Sequence, residues 1–144
     1  MTLYLDTSSA IKLYILEAGS DVVHALVNDA AVVATSSITY AELRAALARL
    51  RRDRALSVPK FTSVKRQFEE QWPSFMTLDA TEALCRTAGG LAERYRLRGF
   101  DSVHLATFAE VARRAGPRDT RFSSFDDRLN QAAQRVARRF ARQS

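Results

Sequence analysis

The sequence is poor in cysteine and has no long apolar run, and both absences exclude classes of protein. Cys85 is the only cysteine among 144 residues, so the chain can form neither an internal disulfide framework nor a cysteine-based zinc site. No apolar run approaches the roughly 18 residues that a membrane span needs. The N-terminus lacks a basic region followed by an apolar core, so we expect no signal peptide. These absences predict a cytoplasmic protein without a membrane segment.

The chain carries a net positive charge. The chain has 22 Lys and Arg residues against 16 Asp and Glu, a formal net charge of +6, and 47% of its residues are hydrophobic. The excess of positive charge favours a polyanionic partner, either nucleic acid or an acidic peptide. The length and the apolar content predict one globular domain over residues 1–144.

Short apolar stretches alternate with stretches of helical periodicity. The predicted strands are residues 3–5, 31–35, 75–78 and 120–125, and helical spacing of apolar residues follows each of them. Strands that are separated by helices form a parallel sheet covered on both faces. The pattern therefore predicts an α/β protein, a three-layer α/β/α sandwich with a central parallel sheet of four or five strands.

Acidic residues stand at the ends of predicted strands or in the first helical turn after them. They are Asp6, Glu42, Asp101, and either Asp126 or Asp127. Each has an alternative explanation, because Asp is a preferred N-cap and Thr39 with Glu42 fits a capping box. Asp79 follows a strand in the same way and pairs with Glu82 three residues later, so spacing alone does not separate Asp79 from Asp6.

Considered together, the acids indicate a metal-binding catalytic site. Helices that follow parallel strands begin at the same edge of the sheet, so acids in their first turns converge there. Clustered carboxylates repel each other unless a cation lies among them. Mg²⁺ prefers oxygen ligands and keeps several waters, an arrangement that suits phosphodiester hydrolysis. In a basic chain, this cluster favours a nuclease.

Four segments resemble one known family in their order and spacing. They are YLDTSSAIKLY (residues 4–14), SSITYAELRAAL (36–47), LRGFDSVHLATF (97–108) and FSSFDDRL (122–129). Together they resemble the PIN-domain family, and specifically its VapC-type toxin ribonucleases. The resemblance extends over nearly the whole chain. It implies a PIN-like fold and an endoribonuclease that depends on Mg²⁺ or Mn²⁺ and leaves a 5′-phosphate and a 3′-hydroxyl.

The resemblance also assigns roles to individual residues. It implies that the catalytic, metal-binding acids are Asp6, Glu42, Asp101 and Asp126, supported by the hydroxyl groups of Ser8 and Ser124. Asp79 and Asp127 are then helix caps. His104 lies one helical turn from Asp101, where a general base could act, but on a buried helix face we interpret it as a core histidine with satisfied hydrogen bonds.

The resemblance further implies an RNA substrate, a VapB-type antitoxin that places a basic side chain at the acids, and a homodimer. The chain departs from the family's pattern at its end, where residues 135–144 continue as an arginine-rich helix in place of a short edge strand. Those arginines can be RNA-contacting surface or a solvated helix face.

Two other functions stay open. One is a non-catalytic PIN-like module that binds RNA or a protein, and the other is a metal-dependent phosphatase. The phosphatase motif has a second Asp where this chain has Ser8, which disfavours it.

Overall fold

The computed structural model describes residues 1–143. Its sheet has four strands, β1 (Thr2–Leu5), β2 (Val32–Ser36), β3 (Met76–Leu78) and β4 (Thr120–Ser123). All neighbouring strands are parallel, in the order β3-β2-β1-β4. The predicted parallel sheet is confirmed. Because β1 lies between β2 and β4, the residue that follows it reaches the middle of the sheet edge.

Helices cover the sheet on both sides. They are α1 (Thr7–Ala10), α2 (Ser20–Asp29), α3 (Ile38–Arg52), α4 (Val58–Gln71), α5 (Glu82–Tyr95), α6 (Gly99–Ala115) and α7 (Asp127–Gln143). Short 3₁₀ turns at Ile11–Leu13 and Trp72–Ser74 follow α1 and α4. No helix in residues 1–143 is long and apolar enough to cross a membrane.

The core has two apolar layers, one on each face of the sheet. Leu3 and Leu5 point into the layer that contains Phe68, whereas Tyr4 points into the opposite layer with Leu105 and Leu129. This division follows from the two-residue period of a strand, which sends alternate side chains to opposite faces. The three-layer α/β/α sandwich is therefore confirmed.

The end of the chain forms a helix in place of a fifth strand. Helix α7 continues to Gln143, with Leu129 and Val136 buried and its arginines exposed. No fifth strand exists within residues 1–143. Ser144 lies outside the described residues.

Two predicted helix caps are wrong. Thr81, and not Asp79, caps α5 by accepting a hydrogen bond from the amide of Leu84 (3.2 Å), because this helix begins three residues after Asp79. Asp127 is the first residue of α7, and Asp126 makes the cap bond. In each case the chain leaves its strand by a longer or shorter turn than spacing alone suggested.

The predicted capping box is also wrong. Helix α3 begins at Ile38, so Thr39 is already inside the helix, and its hydroxyl lies 2.8 Å from that of Thr35 on β2. Glu42 lies on the following turn and hydrogen-bonds across to other elements. Its side chain is thus free of any capping role.

Candidate active site

Asp6 lies at the end of β1 and is only 4% exposed. Its Oδ1 accepts hydrogen bonds from the hydroxyl of Ser8 (2.7 Å) and the amide of Ser9 (3.0 Å). Its Oδ2 accepts a hydrogen bond from the hydroxyl of Ser124 (2.5 Å). Burial raises the pKa of Asp6, and these three hydrogen bonds partly offset that effect. The carboxylate is therefore held rigidly at a cost in solvation that a cation would relieve.

Ser8 and Ser124 also hold the turn between β4 and α7. The hydroxyl of Ser8 accepts a hydrogen bond from the amide of Phe125 (2.9 Å), and that of Ser124 accepts one from the amide of Asp126 (3.0 Å). Because both hydroxyls donate to Asp6, they fix the position of Asp126 relative to Asp6. The two serines that the resemblance assigned as supporting residues thus contact Asp6 directly.

Asp126 and Asp101 lie near each other at the starts of α7 and α6. Oδ1 of Asp126 caps α7 by accepting from the amide of Leu129 (2.8 Å). Burial, followed by the negative charge of Asp126, raises the pKa of Asp101, against the opposing effect of Arg98. The guanidinium of Arg98 lies 3.5 Å from Oδ2 of Asp101. These two carboxylates therefore repel each other in the metal-free protein.

Glu42 is held by a chain of hydrogen bonds that reaches the core. Its Oε1 accepts from the hydroxyl of Thr7 (2.6 Å) and from Nε2 of His104 (2.8 Å), while Nδ1 of His104 lies 2.8 Å from the hydroxyl of Tyr4. Burial raises the pKa of Glu42, but the bonds from His104 and Thr7 outweigh it, so the pKa is lowered overall. This acid is thus kept ionised.

His104 connects the two ends of this chain. It is 2% exposed, and both ring nitrogens have partners. A carboxylate only accepts hydrogen bonds, so Nε2 carries a proton, and in the neutral ring Nδ1 accepts from Tyr4. The interpretation as a satisfied core histidine agrees with this geometry. Sequence reasoning missed the contributions of Thr7 and Tyr4, since neither hydroxyl is distinguishable from a capping or core residue by spacing.

A groove of about 720 Å³ opens beside these acids, and both Glu42 and Asp101 line it. Small residues of α5, among them Ala88 and Gly89, form part of its wall. A Cβ atom added at Gly89 would meet no atom within 4 Å. The groove is thus open enough to receive a ligand next to the carboxylates.

The donor set fits a hard divalent cation. Within residues 1–143 no three His, Cys, Asp or Glu side chains already form a compact metal-binding group. Mg²⁺ needs only one or two carboxylates, because it keeps several of its waters. One oxygen on each of Glu42, Asp101 and Asp126 accepts no hydrogen bond from the described residues. Free carboxylate oxygens beside a repelling acid pair are what such an ion would bind.

Comparisons with known proteins agree with this architecture. The PIN-domain family model matches residues 3–135. Ribonuclease VapC45 of Mycobacterium tuberculosis (strain CDC 1551 / Oshkosh) is 34% identical over 108 residues, which cover 75% of this chain and 75% of the relative. Ribonuclease VapC35 of the same strain is 28% identical over 137 residues, covering 94% and 92%.

Two solved structures share the fold. The crystal structure of FitAcB from Neisseria gonorrhoeae superposes with a TM-score of 0.65 at 22% identity, covering 92% of this chain and 93% of that one. The crystal structure of PAE2754 from Pyrobaculum aerophilum gives a TM-score of 0.63 at 18% identity, covering 99% and 90%.

Proposed function

This chain belongs to the PIN-domain family, and on that premise we propose that it is a VapC-type endoribonuclease, the toxin of a VapBC toxin–antitoxin pair. The observation that carries the proposal is the link that Ser124 makes between Asp6 and the turn of Asp126. The negative charge of Asp126 in turn acts on Asp101. Similarity to proteins named ribonuclease VapC supports RNA as the substrate.

The proposed cofactor is Mg²⁺ or Mn²⁺. The free oxygens of Glu42, Asp101 and Asp126, together with Asp6, would hold it. When bound, such an ion supplies Lewis-acid stabilisation of the phosphoryl oxygens and a water of lowered pKa. Phosphodiester hydrolysis needs an activated water and stabilisation of negative charge, and none of these carboxylates could supply the second by itself.

The residues around the acids have distinct parts in this proposal. Ser8 and Ser124 keep Asp6 in place, and His104 with Thr7 keeps Glu42 ionised and oriented. Arg98 lies at the rim beside Asp101, where it can pair with an RNA phosphate. The net charge of +6 attracts RNA from solution.

The proposal includes partners. A VapB-type antitoxin would neutralise the enzyme by placing a basic side chain among the acids, and the active form would be a homodimer. Similarity to proteins named ribonuclease VapC supports both parts of the proposal. Light scattering of the purified protein, with and without co-expressed antitoxin, tests them.

The experiment that tests the proposed activity is cleavage of total cellular RNA with Mg²⁺ or Mn²⁺, with products mapped by end sequencing. The wild type is compared with Asp6→Asn. We expect discrete cuts that disappear with EDTA and in the variant, because Asp6 is one of the acids proposed to hold the ion.

Asp79→Asn is the matched control. Asp79 follows β3 at the same edge of the sheet and is exposed, yet it contacts none of the four acids through a hydrogen bond. We expect this variant to cleave as the wild type does. Well-folded, antitoxin-free protein that binds RNA without cutting it would contradict the proposal and favour the non-catalytic module.

A further inference from the structure

Two exposed aromatic rings stand next to acids of the proposed active site. Of the 13 aromatic side chains, only Phe100 and Phe125 are exposed among the described residues, by 65% and 45%. Phe100 directly precedes Asp101, and Phe125 directly precedes Asp126. The other large exposed apolar residues are aliphatic. Among the described residues, exposed phenyl rings thus occur only directly before Asp101 and Asp126.

The ring of Phe125 is held in position. Nζ of Lys12 lies 4.4 Å from its centroid, and Lys12 is itself fixed by Glu17 (3.0 Å) and the carbonyl of Ala18 (2.7 Å). Gly19 lies so close that a Cβ there would come within 2.5 Å of the ring. Because Lys12 and Gly19 fix the ring while it stays nearly half exposed, a planar group can stack on it.

Phe100 lies at the groove that opens beside the acids. It stands in the first turn of α6 and lines the groove of about 720 Å³ together with Glu42 and Asp101. No ring or cation of the described residues stacks on it. Its ring therefore presents an uncovered apolar face at the groove that Glu42 and Asp101 line.

Resting on the proposed function, we propose that Phe100 and Phe125 are stacking platforms for the unpaired bases on the two sides of the scissile phosphate. Proteins bind single-stranded RNA by stacking its bases on aromatic side chains while cations follow the backbone. Here Lys12 lies over the ring of Phe125, and Arg98 lines the same groove as Phe100. Stacking on both sides would present the phosphate between them to the acids, and it would restrict the enzyme to single-stranded segments.

Binding in EDTA tests the stacking separately from cleavage. The probe is a fluorescein-labelled oligouridine, and affinity is measured by anisotropy for wild type, Phe→Leu and Phe→Tyr at each position. Leu keeps the apolar contact but loses the ring, whereas Tyr keeps the ring. We expect each Leu variant to bind at least about fivefold more weakly, because a stacked base contributes about 1–3 kcal/mol, and each Tyr variant to bind within about twofold of wild type. Val58→Ala, an exposed apolar residue on α4, is the control and should leave the affinity unchanged.

An abasic oligonucleotide of the same length and charge tests whether the lost affinity depends on the bases. It should bind the wild type more weakly than oligouridine binds either Leu variant, because it loses both stacks and each variant loses one. The Leu substitutions should cost nothing further with it. If Leu replaces Phe without loss of RNA affinity, the stacking proposal is overturned. It is also overturned if the Leu variants lose the same affinity for the abasic probe as for oligouridine. In either case the rings contact an apolar protein partner or nothing. If the Leu variants lose binding while no variant or wild type cleaves RNA, stacking stands and the nuclease proposal falls.

Discussion

At the scale of single residues, the site depends on hydrogen bonds that orient its carboxylates. Glu42 would otherwise be a flexible side chain on the surface of α3. The buried ring of His104 fixes it through a hydrogen bond to its carboxylate. Such supporting contacts typically affect metal affinity or activity by about 10- to 100-fold. His104 is therefore a positioning residue in the proposed mechanism.

Two substitutions of His104 separate its two hydrogen bonds. The amide of Gln can occupy the place of Nε2 and donate to Glu42, whereas the shorter amide of Asn can reach only the place of Nδ1 beside Tyr4. We expect His104→Asn to lower kcat and raise the Mg²⁺ concentration for half-maximal cleavage by about 10-fold or more, and His104→Gln to keep most of both.

Thermal unfolding of the two His104 variants provides the control. Both lose buried contacts, so both should be destabilised by similar amounts. If activity follows stability, with Gln and Asn equally impaired, His104 is merely structural and the positioning role is refuted.

Gly19 supports Phe125 and has a left-handed backbone, with φ of +91°. We expect Gly19→Ala to destabilise the fold by about 1–2 kcal/mol, because a Cβ is disfavoured in this conformation, and also to displace the ring of Phe125. Urea denaturation measures the first effect. Gly99→Ala is the control, since a Cβ there would contact nothing within 4 Å and the backbone has no positive φ; equal losses in both variants would contradict the explanation.

At the scale of the element, α7 has two different faces. Its apolar residues pack on α6, and its exposed arginines form a patch with the end of α5. The patch is lined by Arg94, Tyr95, Arg135, Arg138, Arg139 and Arg142. None of these guanidinium groups forms an ion pair with any residue of 1–143. Unpaired guanidinium groups on one helix favour a polyanionic ligand.

The patch predicts a change in the salt dependence of RNA binding. Replacing Arg135, Arg138 and Arg142 together with Gln should reduce the slope of log K against log salt by about 2, since each phosphate contact contributes about 0.7 for single strands. Anisotropy titrations at several salt concentrations measure the slope.

A control of equal charge distinguishes this patch from the total charge. Replacing Arg52, Lys60 and Arg66 with Gln also removes three positive charges, on the exposed surface of α3 and α4. We expect its slope to stay close to that of the wild type. Equal reductions in both triple variants would mean that α7 is a solvated face with no special role.

At the scale of the whole molecule, the fold gathers negative charge at one edge of a positively charged protein. Burial raises the pKa of Asp6, and burial with the charge of Asp126 raises the pKa of Asp101, above the usual value of 3.8. A carboxyl group with a raised pKa contributes stability that is fully present below its pKa in the unfolded chain. That contribution is lost as pH rises through its pKa in the folded protein. Glu42 has the opposite sign, because its lowered pKa favours folding above 4.5. Near neutral pH, the metal-free protein is therefore weakened by Asp6 and Asp101.

The effect of Mg²⁺ on stability should increase with pH. The ion needs ionised carboxylates and competes with protons for them. At a concentration of 100 times its Kd, it should add about 2.7 kcal/mol to the free energy of unfolding, and more of this gain should be present at about pH 8 than at about pH 5.5. Thermal unfolding with Mg²⁺ or EDTA at both pH values measures it. A gain that persists in Asp101→Asn would place the ion elsewhere.

The sequence by itself determined the class of fold. Alternating apolar strands and helical periods require a parallel sheet between helices, because side chains on each strand point to both faces and both must be covered. It also determined which acids follow strands, and the four motif segments indicated the family. These are local properties, so the spacing of neighbouring residues is enough to predict them.

Only the tertiary structure decided where each acid lies and what it contacts. Asp79 and Asp6 have the same local pattern, yet Asp6 follows the central strand and reaches Ser124, whereas Asp79 follows an edge strand and stays exposed. Likewise, nothing near Glu42 in the sequence predicts its bond to His104, 62 residues away. Such contacts depend on the order of strands in the sheet and on the depth of each turn, which are set by packing between distant segments and not by the spacing of neighbouring residues.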